Sequence, residues 1–75
     1  MNGGLRKRRQ ERVELMDKAA EIVEKAGKPV SIDYVAYRLS ISWHVARALL
    51  LELAARGRLK MIDTTRGILF TRGDA

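Results

Sequence analysis

The fold is decided by residues 31–57, which read SIDYVAYRLSISWHVARALLLELAARG. In two segments of this stretch, apolar residues recur every three or four positions, a spacing that places them on one face of an α-helix. The first segment carries Val35, Ala36 and Leu39, and the second carries Ala46, Leu49, Leu50 and Leu53. Ile41 lies between the two segments, in a turn of three residues. The stretch therefore predicts two helices that pack through their apolar faces.

The residues after this stretch predict a β-hairpin. Gly57 suits the left-handed backbone position that follows many helices, so the second helix should end there. Residues 59–62 and 68–71 have the composition of strands, and a turn from Thr64 to Gly67 separates them. The order along the chain is thus helix, turn, helix and hairpin.

A long helix is predicted ahead of these elements, from Arg6 to Ala26. Its apolar residues form two adjacent stripes, Val13, Met16, Ala20 and Val23 in one and Leu15, Ala19, Ile22 and Ala26 in the other. One stripe is enough to pack on the two following helices. The second stripe is equally consistent with a contact between two copies of the chain and with a helix that buries a wide face in its own core.

Residues 27–32 separate this helix from the next. Gly27 ends the helix and Pro29 prevents its continuation, after which Val30 and Ile32 are candidates for a short first strand. We therefore expect one α+β domain of three helices and a small antiparallel hairpin. Its bounds are residues 6–72, with a flexible segment at 1–5 and a tail at 73–75.

The composition excludes several classes of function. The chain has 75 residues, no cysteine and one histidine, so it offers neither a disulfide nor the ligands of a zinc cluster. It has no glycine-rich phosphate loop, and its carboxylates belong mostly to the long helix instead of a paired cluster. We expect a protein without catalytic activity, cofactor or bound metal.

Hydropathy predicts a cytoplasmic protein with no membrane partner. No apolar run approaches the roughly 20 residues of a membrane span, and residues 1–12 lack the apolar centre of a secretory signal. The chain has one asparagine and one glutamine beside many arginines and glutamates, a composition typical of thermophilic proteins.

The net charge of +6 is spread unevenly along the chain. Five basic residues and one acidic residue give +4 at residues 1–12, and seven basic and two acidic residues give +5 at residues 38–72. Residues 13–37 carry three basic and five acidic side chains, which gives −2. Such asymmetry favours a polyanionic partner, because each neutralised phosphate releases condensed counterions. The alternative is an ordinary solvated basic surface.

In this order of elements the chain resembles the winged-helix superfamily over residues 28–72, particularly the small transcription regulators of bacteria and archaea. The resemblance implies that the second helix of the pair reads DNA and that the hairpin is the wing. One residue departs from the pattern, since Ser40 stands at the sharp turn where many relatives have glycine. A non-glycine residue rarely takes a positive φ, so we expect this turn to be built differently.

The resemblance assigns the contacts with base edges and nearby phosphates to the outward face of the second helix. This face comprises Trp43, His44, Arg47, Ala48 and Leu51, behind Ser42 as the N-cap. Arg47 is the best candidate for specific readout, because its planar fork can bind guanine O6 and N7 together. Trp43 lies outside the apolar stripe, which favours contact with nucleic acid over burial. Leu51 fits either a thymine methyl or a buried protein contact.

Further contacts are predicted on the flanking elements. They are Tyr37 and Arg38 on the preceding helix, Lys60, Arg66 and Arg72 on the hairpin, and Arg6, Lys7, Arg8 and Arg9 on the basic arm. Arg66 in the hairpin turn is placed to enter a minor groove or to hold a phosphate. Tyr34 and Tyr37 fit either phosphate contact or ordinary partial burial.

A second resemblance predicts RNA instead of DNA as the partner. The run RLSISWHVARALLLELAARGRLK, followed after the hairpin by FTR, is similar to the winged-helix ribosomal protein twenty-five of the archaeal and eukaryotic small subunit. That resemblance implies binding to ribosomal RNA. The lysine-rich N-terminal extension of that family is replaced here by a compact arm and an amphipathic helix, which favours a free-standing regulator.

We therefore expect a small transcription regulator that binds duplex DNA specifically as a homodimer. Binding to ribosomal RNA and a winged helix used only for protein contact are the alternatives. A single reading helix covers few base pairs, which favours two copies.

Overall fold

A computed structural model gives the architecture, with the backbone described for residues 3–74 and the side chains for residues 11–74. The elements are α1 (Gly3–Ala26), β1 (Val30–Ser31), α2 (Ile32–Leu39), α3 (Trp43–Ala55), β2 (Leu59–Thr64) and β3 (Gly67–Arg72). The three strands form one antiparallel sheet in the order β1-β3-β2. The described residues thus form a small α+β domain whose layout is compatible with a winged helix.

The element bounds differ from the predicted ones in three places. Helix α1 begins at Gly3, three residues before the predicted start. Ile32 opens α2 and β1 is only Val30–Ser31, because Ser31 is the N-cap of α2 and its hydroxyl accepts from the amide of Tyr34. The hairpin strands are longer than predicted, since pairing continues until Thr64 faces Gly67 across the turn.

The core lies where the three helices meet the sheet. Phe70 at the centre of β3 is fully buried, and its strand neighbours are Val30 in β1 and Met61 in β2. The other buried apolar residues are Met16, Ala19, Ala20, Val23, Val30, Ile32, Val35, Ala36, Ala46, Leu49, Leu50, Leu53 and Leu59. The predicted apolar stripes of α2 and α3 are confirmed, except that Leu39 is half-buried at the edge of the core.

The second stripe of α1 contributes to this core. Ala19 is fully buried, and Leu15, Ile22 and Ala26 are half-buried and pack against the core cluster. Val13, assigned to the core stripe, is instead exposed, because a groove that it lines with Leu53 and Arg56 leaves it open to solvent. The wide buried face of α1 therefore accounts for most of the second stripe.

The turn between α2 and α3 corrects one expectation. Ser40 takes a left-handed conformation, with φ 55° and ψ 45°. Its amide donates to the carbonyl of Tyr37, and the amide of Ile41 donates to the carbonyl of Ala36, which is the Schellman arrangement that glycine usually makes. The turn is therefore built in the usual way, with serine in the position of glycine.

Helix α3 ends in the same arrangement with the usual residue. Gly57 has φ 82° and its amide donates to the carbonyl of Ala54, while the amide of Arg58 donates to the carbonyl of Leu53. The predicted left-handed position of Gly57 is confirmed, and α3 itself ends two residues earlier, at Ala55. The reversal sends the chain directly into β2, which places the hairpin beside α3.

Candidate nucleic-acid interface

The start of α3 is fixed by Ser42. Its hydroxyl accepts a hydrogen bond from the amide of Val45 at 3.2 Å, so the predicted N-cap is confirmed. The cap satisfies one of the free amides in the first turn. This rigid start presents Trp43 and His44 at the end of the helix nearest the turn.

The outward face of α3 is exposed as predicted for four of its five residues. Trp43, His44, Arg47 and Ala48 are exposed, with 42% of Trp43 accessible to solvent. The rings of Trp43 and His44 meet edge to face, with their centroids 5.2 Å apart. Leu51 is half-buried and packs against the core cluster, on the side of α3 that faces Lys60 and Met61 of β2.

The hairpin turn is held by Thr64. Its hydroxyl donates to the carbonyl of Gly67 at 2.6 Å and accepts from the amide of Arg66 at 3.2 Å. The side chain of Arg66 is exposed at the tip, and Lys60 is exposed on β2. These bonds order the backbone that carries Arg66.

The fold brings Trp43 and Arg66 to one groove. The groove is about 530 Å³ in volume and lies between the start of α2, the start of α3 and the hairpin. Ile32 and Ile68 supply much of its apolar wall, and Asp33 adds a carboxylate. The sequence did not predict this groove, because it depends on how the hairpin packs against α2.

Several arginines are neutralised by acidic neighbours. Arg12 and Arg56 both bind Glu52, with nitrogen to oxygen distances of 3.1 and 2.7 Å. Glu52 is the one acidic residue of α3, so the ion pairs cancel the helix's only negative charge.

Two further arginines are paired. Arg58 binds Asp17 at 2.9 Å and Glu24 at 3.6 Å, and the hydrogen bond to Asp17 raises the pKa of Arg58 above its usual value. Arg72 binds Asp74 at 3.2 Å, and this hydrogen bond lowers the pKa of Asp74. Arg72, predicted to contact nucleic acid, is thus partly neutralised within the chain.

The remaining residues predicted to contact nucleic acid fall into three groups. Arg47, Lys60 and Arg66 have no carboxylate within 4 Å among the side chains described. Tyr37 is 84% exposed on α2, whereas Arg38 donates to the hydroxyl of Tyr34 at 3.2 Å and faces a groove beside α1. The predicted side chains of Arg6, Lys7, Arg8 and Arg9 lie outside the described side chains.

Two other kinds of feature are absent from the described residues. Over the residues that the structure describes, no group of three or more metal-ligating side chains occurs. Within the same residues, no helix has both the length and the hydropathy required to cross a membrane.

Comparison with known proteins gave no match. No protein-family model matches the chain, and neither a curated protein nor a solved structure matches it.

Proposed function

We propose that this protein is a winged helix-turn-helix that binds duplex DNA specifically, in the role of a small transcription regulator. In this proposal α3 enters the major groove and the β2–β3 hairpin is the wing. The observation that carries it is the set of unpaired cations on α3 and the hairpin. Within these two elements Arg47, Lys60 and Arg66 are exposed without a carboxylate partner among the described side chains, and Arg72 is paired with Asp74.

The roles follow from side-chain chemistry. Arg47 is exposed in the first half of α3 and its guanidinium suits the two acceptors of guanine. Trp43 and His44 stand at the start of the helix, where they contact the sugar-phosphate backbone or stack on a base. Arg66 enters the minor groove or holds a phosphate, and Lys60 adds a phosphate contact. The basic residues of the N-terminal arm add electrostatic attraction.

The proposed DNA-bound form is a homodimer, because one small module buries little surface on DNA. Two copies on a palindromic site would double the contact. The second stripe of α1 is largely used by the core, so it does not by itself argue for this assembly.

The test is a titration of a duplex selected by the protein from a random-sequence library. The logarithm of affinity should fall linearly with the logarithm of salt concentration, because phosphate contacts release counterions. Arg47→Ala should weaken binding by about 1 to 3 kcal/mol and relax the base preference. Arg66→Ala should weaken binding to all duplexes by a similar factor and reduce the slope.

The matched control is Lys28→Ala, which removes an exposed cation from the loop between α1 and β1. It should leave affinity nearly unchanged. Absence of binding at low salt would reject the proposal. Equal losses on selected and unrelated duplexes would remove Arg47 as a base reader, and tighter binding to A-form duplex RNA would favour the ribosomal alternative.

A further inference from the structure

A second groove lies between α1 and α2, apart from the face of α3. Its volume is about 390 Å³, within the range of roughly 300 to 1,000 Å³ for small-molecule sites. Helix α1 lines it with residues from Lys18 to Ala26, and α2 lines it from Tyr34 to Leu39. Lys18 and Ala26 are eight positions apart on α1, which corresponds to about 12 Å at 1.5 Å per residue. This length suits a small molecule better than a partner helix.

The floor of this groove is apolar. Ile22, Ala26 and Leu39 line it, and each is half-buried against the core. Their inner atoms are covered by the fold and their outer atoms remain open to a ligand. A flat apolar group placed there would remove the remaining surface from water.

The rim of the groove is mainly cationic. Lys18, Lys25 and Arg38 line it, against the single carboxylate of Glu21. The guanidinium of Arg38 donates to the hydroxyl of Tyr34 at 3.2 Å, and its central carbon lies 5.8 Å from the centre of that ring. Tyr34 therefore orients Arg38. The planar guanidinium of Arg38 suits a carboxylate or sulfonate.

These charges argue against a second copy as the occupant. In a two-fold contact the same surface meets itself, so a surface with three cations and one carboxylate would meet an identical, net positive surface. Juxtaposed like charges are unfavourable. An anion relieves this excess of positive charge.

We propose that the groove between α1 and α2 binds a small amphipathic anion, a carboxylate or sulfonate attached to a flat apolar body. The anionic group lies on Arg38 with the lysines nearby, and the apolar body covers Ile22, Ala26 and Leu39. The proposal does not depend on DNA binding, since it uses none of the residues assigned to that contact under the proposed function.

The probe is 8-anilinonaphthalene-1-sulfonate, whose fluorescence rises in apolar surroundings. The intact chain should bind one dye per molecule saturably, and backbone amide shifts should cluster at residues 18–26 and 34–39. The uncharged parent compound, N-phenyl-1-naphthylamine, should bind several-fold more weakly because it lacks the sulfonate.

Four variants test the assigned contacts. Arg38→Gln should weaken dye binding about tenfold through loss of a charge-assisted hydrogen bond. Lys25→Gln should weaken it about twofold, and Glu21→Gln should strengthen it by a similar factor, because exposed charges have small effects. Lys60→Gln on the hairpin is the control and should change nothing. Circular dichroism checks that each variant is folded.

Three results of the binding measurements would overturn the proposal. They are no saturable binding at millimolar dye, equal binding of the uncharged compound, and equal weakening by Lys60→Gln and Lys25→Gln. Amide shifts confined to α3 and the hairpin would place the dye in the other groove and reject this one.

Discussion

At the scale of single residues, Ser40 and Gly57 occupy the same position in two equivalent helix ends. Both have left-handed backbone, with φ of 55° and 82°, and both donate to the carbonyl three residues back. Left-handed backbone costs an L-residue roughly 1 to 2 kcal/mol, whereas glycine adopts it readily. The helix end at Ser40 is therefore less stable than the same helix end would be with glycine at this position.

Exchanging the two residue types tests this cost. Ser40→Gly should raise the free energy of unfolding by about 0.5 to 1 kcal/mol, and Gly57→Ser should lower it by a similar amount. Denaturation in urea followed by circular dichroism measures both. Ser42→Gly is the control, because Ser42 has φ −69° and caps α3 with its hydroxyl; it should lower stability by a few tenths of a kcal/mol. Destabilisation by Ser40→Gly would contradict the assigned strain.

The conformation of a single residue could be predicted from the sequence where its neighbours in the chain determine it. The Ser42 cap and the left-handed position of Gly57 follow from neighbouring positions, and both are confirmed. The pairing of Arg58 with Asp17 joins residues 41 positions apart, so only the packed helices could reveal it. Ser40 was judged by what its residue type prefers, whereas the packing of both helices determines its conformation.

At the scale of elements, α1 contains buried and half-buried apolar residues side by side. Ala19→Glu should prevent folding, because Ala19 is fully buried and a buried unpaired carboxylate costs several kcal/mol. Ile22→Glu should leave the chain folded with reduced stability, since Ile22 lines an open groove from which a carboxylate reaches water. Circular dichroism and amide spectra at 25 °C distinguish the two. Folded Ala19→Glu protein would show that the stripe is less buried than described.

The helices and hairpin strands were easier to predict from the sequence than the contacts between elements. Periodicity identified the three helices, because each buries one face, and composition with a turn signal identified the two hairpin strands. Strand β1 is only two residues long and exists through pairing with Phe70 and Leu69, so its local sequence carries little signal. The two grooves arise between elements distant in the chain, and periodicity within one element does not report them.

At the scale of the whole molecule, the side chain of Phe70 lies on the strand that packs against both α1 and α2. Phe70 is fully buried on the central strand. Phe70→Ala should cost about 3 to 5 kcal/mol, a large share of the roughly 4 to 11 kcal/mol typical of a chain this size. We expect helix and strand signals to be lost together on mild heating.

Two further substitutions serve as references for the loss of stability in Phe70→Ala. Phe70→Leu should cost less, because it leaves a smaller cavity. Tyr37→Ala should change stability by less than about 0.5 kcal/mol, since that ring is 84% exposed. Retention of the helical signal in Phe70→Ala while strand signals disappear would show that the helices fold without the sheet.

The position of Trp43 has a spectroscopic consequence. It is the only tryptophan of the chain, it is 42% exposed, and it lines the groove beside the hairpin. Indole emission from the unlabelled chain therefore reports the polarity and the quenchers at the start of α3, whereas the core around Phe70 contributes no indole signal. The protein carries an intrinsic optical reporter at the surface proposed to meet DNA.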